Sequence, residues 1–600
     1  MSELDNFGKL NLTNLHKIIV GVDYGTTFTG VSYVNSLKNH VDDVNVIRTW
    51  PGPSREQDET WKTPSRIAYK VENPSIEGEE TRWGYMVVPR MKSYTWTKLL
   101  LDRGSQMTSQ GTEADIIEGN GFLKLPHFKS KARDVCADFL RGVYNHTMAY
   151  LEQRYSPEVM KVTALEFWFT VPAIWSDKAK EETRKAANSA GFGSRAQDSI
   201  SMIAEPEAAA VATLSTLSDD ERELKAKVGD SILICDCGGG TVDIVTYKVM
   251  QLKPIIRFEE LLPGTGEKCG STYIDREFYK WMSKRFGGAF DNMNPDKKRP
   301  GSRFMKEFEG HKRDFGSLGN HQKFDIELVI PGAKDSDIYE QDNSTVILTH
   351  DIMESFFQPV VDKIKQLLHD QLEQLRKKSN VSIQTIILVG GFGDSPYLNN
   401  TLREWCRSQG RISLLCPEHP QASVVKGAAL RGLKGLVPEK RIARLHYGLS
   451  VMFPFREQID PQESIFYYEW DGLKYCNTRM EWMITKGVAI TPENCPAQEI
   501  SLLHKTGESL TFSSQIYTST EDTAPEWHSF NSVRQVATIN YTFSESDLSL
   551  FPSKKRASQG DMHLLSISVK VNALASKGLL EFRIIGPGGR DMGKASIDYD

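Results

Sequence analysis

Three short apolar runs, each ending in glycines and acids, constrain this 600-residue chain more than any other feature. Ile18-Ile19-Val20 leads into Val22-Asp23-Tyr24-Gly25-Thr26-Thr27, and Ile232-Leu233-Ile234 into Cys235-Asp236-Cys237-Gly238-Gly239-Gly240-Thr241-Val242-Asp243. Ile386-Ile387-Leu388 leads into Val389-Gly390-Gly391-Phe392-Gly393-Asp394-Ser395-Pro396. Each predicts a buried strand that stops at a tight turn. Glycine at such a turn lets backbone N–H groups approach an anion, and adjacent carboxylates can hold a metal ion. One loop of this kind is common in folded proteins. Three in order, two of them carrying Asp-x-Gly-(x)-Thr, point to a phosphate-binding site and make an ATPase the leading reading.

A chain of this length exceeds a single hydrophobic core, so two or more domains are expected. Lys and Arg number 73 against 78 Asp and Glu, a net charge of −5, which leaves no electrostatic footprint for nucleic acid or an anionic membrane. Met1 to Lys17 lacks the apolar core of a secretory signal, and no apolar stretch reaches the length of a membrane span; Ala164 to Trp175 already contains Glu166 and Thr170. The expected compartment is the cytoplasm, with the nucleus as the alternative. Eight cysteines are scattered without Cys-x-x-Cys spacing, so a zinc site is not expected. Cys235 and Cys237 share one face of a strand, where small apolar packing is favoured over redox chemistry.

From Lys17 to about Leu436 strand and helix patterns alternate, which predicts an α/β architecture. Lys131–Tyr155 reads as a long helix leading into the strand Leu165–Thr170, after which Ser176-Asp177 caps a helix through Ala190. Leu348–Ser379 reads as another helix, and Phe290–Arg303, with two prolines and mixed charge, as an exposed loop or small insertion. The pattern changes near Leu436. Alternation at Leu565, Ile567, Val569 and Val571, and at Ile539, Tyr541 and Phe543, predicts a β-rich domain with no long helix behind it. The expected division is a tail over 1–16, a nucleotide-binding domain over 17–436, a linker over 437–446 and a β-rich domain over 447–600.

Within the first loop, backbone N–H groups and the hydroxyls of Thr26 and Thr27 would meet a phosphate tail, with Asp23 binding Mg²⁺, through water. In the second, Asp236 would orient an attacking water or a metal-bound water, supported by Thr241 and Asp243. Two carboxylates facing each other across a triphosphate repel, so an ion is implied. The third loop, with Gly390 and Gly391 opening a helix, would sit against the nucleoside and α-phosphate.

Taken together the loops resemble the actin, hexokinase and heat-shock-chaperone ATPase superfamily, in which two ribonuclease-H-like lobes close on ATP. Further segments narrow the resemblance to the heat shock protein 70 family: Phe169-Thr170-Val171-Pro172-Ala173 with Ser176-Asp177, Ala204-Glu205-Pro206-Glu207-Ala208-Ala209-Ala210, Thr63-Pro64-Ser65 and Lys426-Gly427-Ala428-Ala429. It covers roughly residues 17–435 and the β-rich remainder only weakly. It implies ATP or ADP with Mg²⁺, and K⁺ as a further ion. Asp23, Glu205 and Asp236 would surround the metal and the lytic water, with Asp243 beside them. Thr26 and Thr241 would contact or relay to the γ-phosphate. Lys98, in Thr97-Lys98-Leu99-Leu100, falls where the family has its catalytic lysine. Gly25, Thr27, Gly238, Gly239 and Gly240 would cradle phosphates. Glu309, Lys312 and Arg313 match the nucleoside-binding helix, with Arg313 placed to stack on adenine, and Gly390, Gly391 and Phe392 close the site.

Departures from the family are as informative. Its second adenine-stacking arginine corresponds to Asp394 and a nucleoside serine to Gly316, which weakens adenine affinity and selectivity. The Gly-Gly-Phe-x-x-Ser-Pro form resembles the divergent branch called member twelve and fungal proteins like it. Ser201, Ala204 and Glu207 replace residues that meet J-domain co-chaperones, so an ordinary J-domain partner is not expected. The acidic, leucine-rich linker is replaced by Val437-Pro438-Glu439-Lys440-Arg441, and a β domain without a lid would hold a protein or peptide client weakly. The leading expectation is a chaperone-like protein that binds ATP and hydrolyses it slowly. A nucleotide-gated scaffold with little turnover is the second. A small-molecule kinase on the same fold is the third, and needs a base and a substrate pocket that the sequence does not display.

Overall fold

A computed structural model describes residues 16–594 except 39, 53–59, 75–77, 79, 89–90, 103–122, 218–226, 253–255, 300, 318–322, 380, 411, 436–440, 491–495, 556–559 and 573–580. By internal contacts the chain forms two units, Met1–Arg257 with Thr265–Leu436, and Phe258–Gly264 with Val437–Asp600. The predicted tail lies outside the described residues up to position 15, as do 437–440 of the predicted linker. Arg441–Ile442 is a short strand paired with Ala489–Ile490.

The first unit repeats one device twice. Strand Lys17–Tyr24 pairs antiparallel with Phe28–Asn35 and parallel with Ala164–Val171, which pairs in parallel with Ser199–Ala204. Strand Ser231–Cys237 pairs antiparallel with Val242–Gln251 and parallel with Thr385–Val389, which continues in parallel to Ser413–Leu415. Buried on both faces, the central strands need apolar residues at nearly every position, which is why they read as continuous runs. Each device delivers an aspartate at the end of its first strand, Asp23 or Asp236, beside a tight turn. This is the two-lobed actin-like α/β fold.

Helix Ala132–Tyr155 places Val135, Phe139, Leu140 and Val143 on the first sheet, against a core that includes Phe167 and Phe169. Ser176 caps Asp177–Ala190 by accepting the N–H of Ala179 at 3.2 Å. One expectation needs correction and a second needs refining. The helix expected from Leu348 starts at His350, because Thr345–Thr349 is a strand held by Lys323–Glu327. The stretch 290–303, expected as an exposed loop or small insertion, is largely exposed among its described residues but is not a plain loop. It contains the short helices Gly288–Asp291 and Pro295–Lys298, with Phe290 buried and the Lys298 ammonium donating to the carbonyls of Phe290 and Asp291, each at 2.8 Å.

The second unit is β-rich. Its strands form two five-stranded sheets that share one core, with Leu449, Ile516 and Ile539 from one and Leu565, Ile567, Val569 and Val571 from the other. The alternation of these residues turns every second side chain inward, as a half-buried sheet requires. The described residues from 441 to 594 contain 3₁₀ turns and no α-helix.

Candidate active site

The two hairpin turns meet. A Cβ on Gly240 would lie 2.6 Å from the Thr26 hydroxyl, and one on Gly239 would collide with the Thr27 hydroxyl, so only glycine allows this approach. The third loop joins them at Gly390, whose backbone has φ +89° and where a side chain would strike the Asp236 carboxylate. The cleft around these turns is a cavity of about 1000 Å³ within the first unit. Lining it are Asp23, Gly25, Thr26, Thr27, Lys98, Glu205, Asp236, Gly238, Gly239, Gly240 and Thr241, together with Glu309, Lys312, Arg313, Gly390, Gly391 and Phe392. Of the residues expected from sequence, Asp243 alone does not line it. It sits across the hairpin from Asp236, buried, with its Oδ1 accepting the N–H of Ile174 at 3.1 Å.

Lys98 lies in the 3₁₀ helix Thr97–Asp102 and is only 2% exposed. Its ammonium donates to Glu205 Oε1 at 2.8 Å and stands 5.0 Å from the ring centre of Trp175. Asp23 accepts from Thr170 at 2.8 Å through Oδ1 and from Lys62 at 2.6 Å through Oδ2. Thr63-Pro64-Ser65 braces the first loop: the Ser65 hydroxyl donates to the Gly25 carbonyl and its N–H to that of Thr27, both at 2.7 Å.

Burial separates the acids electrostatically. It pushes Asp236 well above the ordinary aspartate range, reinforced by Glu205, Asp243 and Asp23. Glu205 is raised to about 7 by burial, with Lys98 opposing and Asp23 and Asp243 adding to the rise. At Asp23 burial is outweighed by Lys62 and Lys98, and its pKa is lowered. Four buried carboxylates thus face two lysines. That excess of hard oxygen donors fits a divalent cation such as Mg²⁺, which Asp23 and Asp236, with Asp243 behind them, would hold.

At the far end, Ser302 caps the helix Arg303–Asp314. Lys312 points inward, with its ammonium 2.8 Å from Asp275 and 2.5 Å from Glu309. Arg313 points outward, its side chain 59% exposed, with Nε donating to Glu309 at 3.0 Å and the guanidinium 5.1 Å from the ring centre of Phe28. Asp394 lies on the rim, and Gly316 packs against the backbone of Tyr397.

A family model described as "Hsp70 protein" matches residues 106–444, more than half of the chain. The chain belongs to the Hsp70 family. It is 26% identical over 539 aligned residues to heat shock 70 kDa protein 12A of Homo sapiens, spanning 76% of this chain and 75% of that protein. It is 25% identical over 577 residues to heat shock 70 kDa protein 12B of Homo sapiens, spanning 80% and 78%. Its similarity to the chaperone protein dnaK of Guillardia theta is 22% over 394 residues, covering 64% of this chain and 55% of that protein. The chain is therefore an ATP-binding protein of the Hsp70 type, a family that binds its nucleotide with Mg²⁺.

Sequence reasoning passed over Lys62, Phe28, Trp61 and Tyr85, which also line the cavity. Their signal was positional: Trp61 and Lys62 immediately precede Thr63-Pro64-Ser65, and Phe28 follows Thr27.

Proposed function

We propose that this Hsp70-family chain hydrolyses ATP slowly in the cleft and acts in a chaperone-like manner, with the β-rich unit receiving a protein or peptide client. The observation that carries the reading is the convergence of Lys98, Glu205, Asp236 and Thr241 with both glycine hairpins on one cavity. Binding alone does not require a buried lysine–glutamate pair beside two further carboxylates. Water would attack the γ-phosphorus, the bond from phosphorus to the β–γ bridging oxygen would break, and ADP would leave. Glu205, with a pKa near 7, suits the acceptor of the water's proton. Asp236 orients that water, Lys98 offsets charge on the transferred group, and Gly25, Thr26, Thr27 and Gly238–Gly240 supply N–H donors and hydroxyls. A bound Mg²⁺ would neutralise the β- and γ-phosphate oxygens.

The nucleotide-gated scaffold is favoured by one observation: at the base end, where the family resemblance implies two arginines, the cavity is lined by an exposed Arg313 and by Asp394. Single-turnover hydrolysis of Mg-ATP, with ATP, GTP and ADP binding measured alongside, separates the two. Turnover lost in Asp236→Asn with binding retained is the expected result. Tight binding without turnover in wild type would overturn hydrolysis and leave the scaffold.

A further inference from the structure

Beside Lys98 at the phosphate end, the cleft is lined by Lys62, which neither the hydrolytic reading nor the resemblance uses. Thr63–Pro64 pairs with Phe28–Thr29, and this register sets Lys62 beside Gly30. Gly30 in turn stands opposite Asp23 in the first hairpin. The Lys62 stem lies over that glycine: a Cβ at position 30 would stand 3.1 Å from Lys62 Cγ and 3.5 Å from its Cε. Tyr85 fixes the backbone by donating to the Lys62 carbonyl at 3.2 Å. The ammonium reaches Asp23 Oδ2 at 2.6 Å, with the lysine side chain 14% exposed and that of the aspartate 6%. Lys62, Asp23, Gly25, Thr26 and Thr27 line the same wall of the cavity. A partly buried, charge-assisted contact of this kind is screened by salt much less than a surface ion pair.

We propose that Lys62 is a resident cation of the phosphate site, tied to Asp23, which takes over part of the neutralisation a divalent ion provides and makes nucleotide binding only weakly dependent on Mg²⁺. The inference rests on the cleft being the nucleotide site. The cluster of Asp23, Glu205, Asp236 and Asp243 carries four potential negative charges, which Lys62 and Lys98 reduce by two. Without Lys62, a phosphate chain would enter against one more uncompensated charge, and affinity would depend on the ion. Lys62 is a positioning and binding residue in this account. It transfers no proton.

The test is calorimetric titration of ADP into the full chain, in millimolar MgCl₂ and again in EDTA. Three proteins are compared: wild type, Lys62→Met, which keeps the stem and removes the charge, and Gly30→Ala, whose methyl would stand 3.1 Å from the stem and press it away from Asp23's strand. Circular dichroism confirms folding of each. Wild-type affinity should fall less than about threefold on metal withdrawal and that of Lys62→Met more than about thirtyfold, the scale of one lost charge pair in a partly buried site. Gly30→Ala should shift in the same direction. Equal metal dependence in wild type and both variants, with binding retained, would overturn the assignment of Lys62 alone. Absence of ADP binding by wild type in either buffer would overturn the nucleotide reading and this inference with it.

Discussion

Replacing Asp236 by asparagine should stabilise the metal-free protein while ending hydrolysis. Asp236 is 4% exposed, and burial followed by Glu205, Asp243 and Asp23 pushes its pKa well above the ordinary value of 3.8, with Lys62 pulling the other way. The folded state therefore keeps a proton that the unfolded chain gives up. The sign follows: wild-type stability is full below the unfolded pKa and is lost as pH rises toward the folded value. Each pH unit in that window costs up to about 1.4 kcal/mol, so the loss by pH 7 is bounded at about 4 kcal/mol. Asparagine has the same shape and no proton to lose.

The assay is urea denaturation in EDTA at several values between pH 5.5 and 8, followed by tryptophan fluorescence. The stability advantage of Asp236→Asn should widen steadily with pH. Adding Mg²⁺ should stabilise wild type more than the variant, since the ion relieves a repulsion the variant lacks. Parallel pH profiles for the two proteins, or a variant less stable at pH 8, would refute the claim that the acids in this cleft repel one another.

Three further outcomes are expected. Gly239→Ala drives a methyl into the Thr27 hydroxyl and should weaken ADP binding at least about tenfold with the fold intact, as read by calorimetry and circular dichroism. Asp394→Arg restores a cation at the base end and should tighten ADP binding by about 1 kcal/mol, which parallel ADP and GDP titrations would detect. Leu565→Ala, at a fully buried position of the β-rich core, should cost about 2–5 kcal/mol, measured by the denaturation midpoint of the second unit.

The hairpin loops were legible because their chemistry is local: an apolar strand, an acid at its end, then glycines. The caps and helices that follow local rules were legible too, as at Ser176 and Ala132–Tyr155. Lys62 was not, because its meaning depends on Thr63–Pro64 pairing with Phe28–Thr29, a long-range register that no short window contains. Within 290–303 the polarity hid two short helices and the burial of Phe290 and Lys298. Lys298 reads as solvated, yet its ammonium is satisfied by carbonyls seven and eight residues back in the chain, so it can be buried beside Phe290. Asp243 carries the motif and misses the cavity wall: it is the cross-strand partner of Asp236, and its Oδ1 is turned to the Ile174 N–H, a contact between distant segments that no short window contains.

The two ends of the cleft are built differently, and this determines how they respond to change. At the phosphate end the contacts are buried and join distant segments: Lys98 to Glu205 across 107 positions, Thr170 to Asp23 across 147. Removing one partner there strands a buried charge, at about 3–5 kcal/mol, so this end tolerates few substitutions. At the base end Arg313 is mostly exposed and Asp394 lies on the rim, where a charge can be exchanged without unfolding anything. Affinity for the base and chemistry at the phosphate are therefore separable. Asp394→Arg should move the dissociation constant and leave the single-turnover rate unchanged, and Asp236→Asn should do the reverse. A base-end substitution that altered the rate at saturating nucleotide would show that the two ends are coupled through the closure of the lobes.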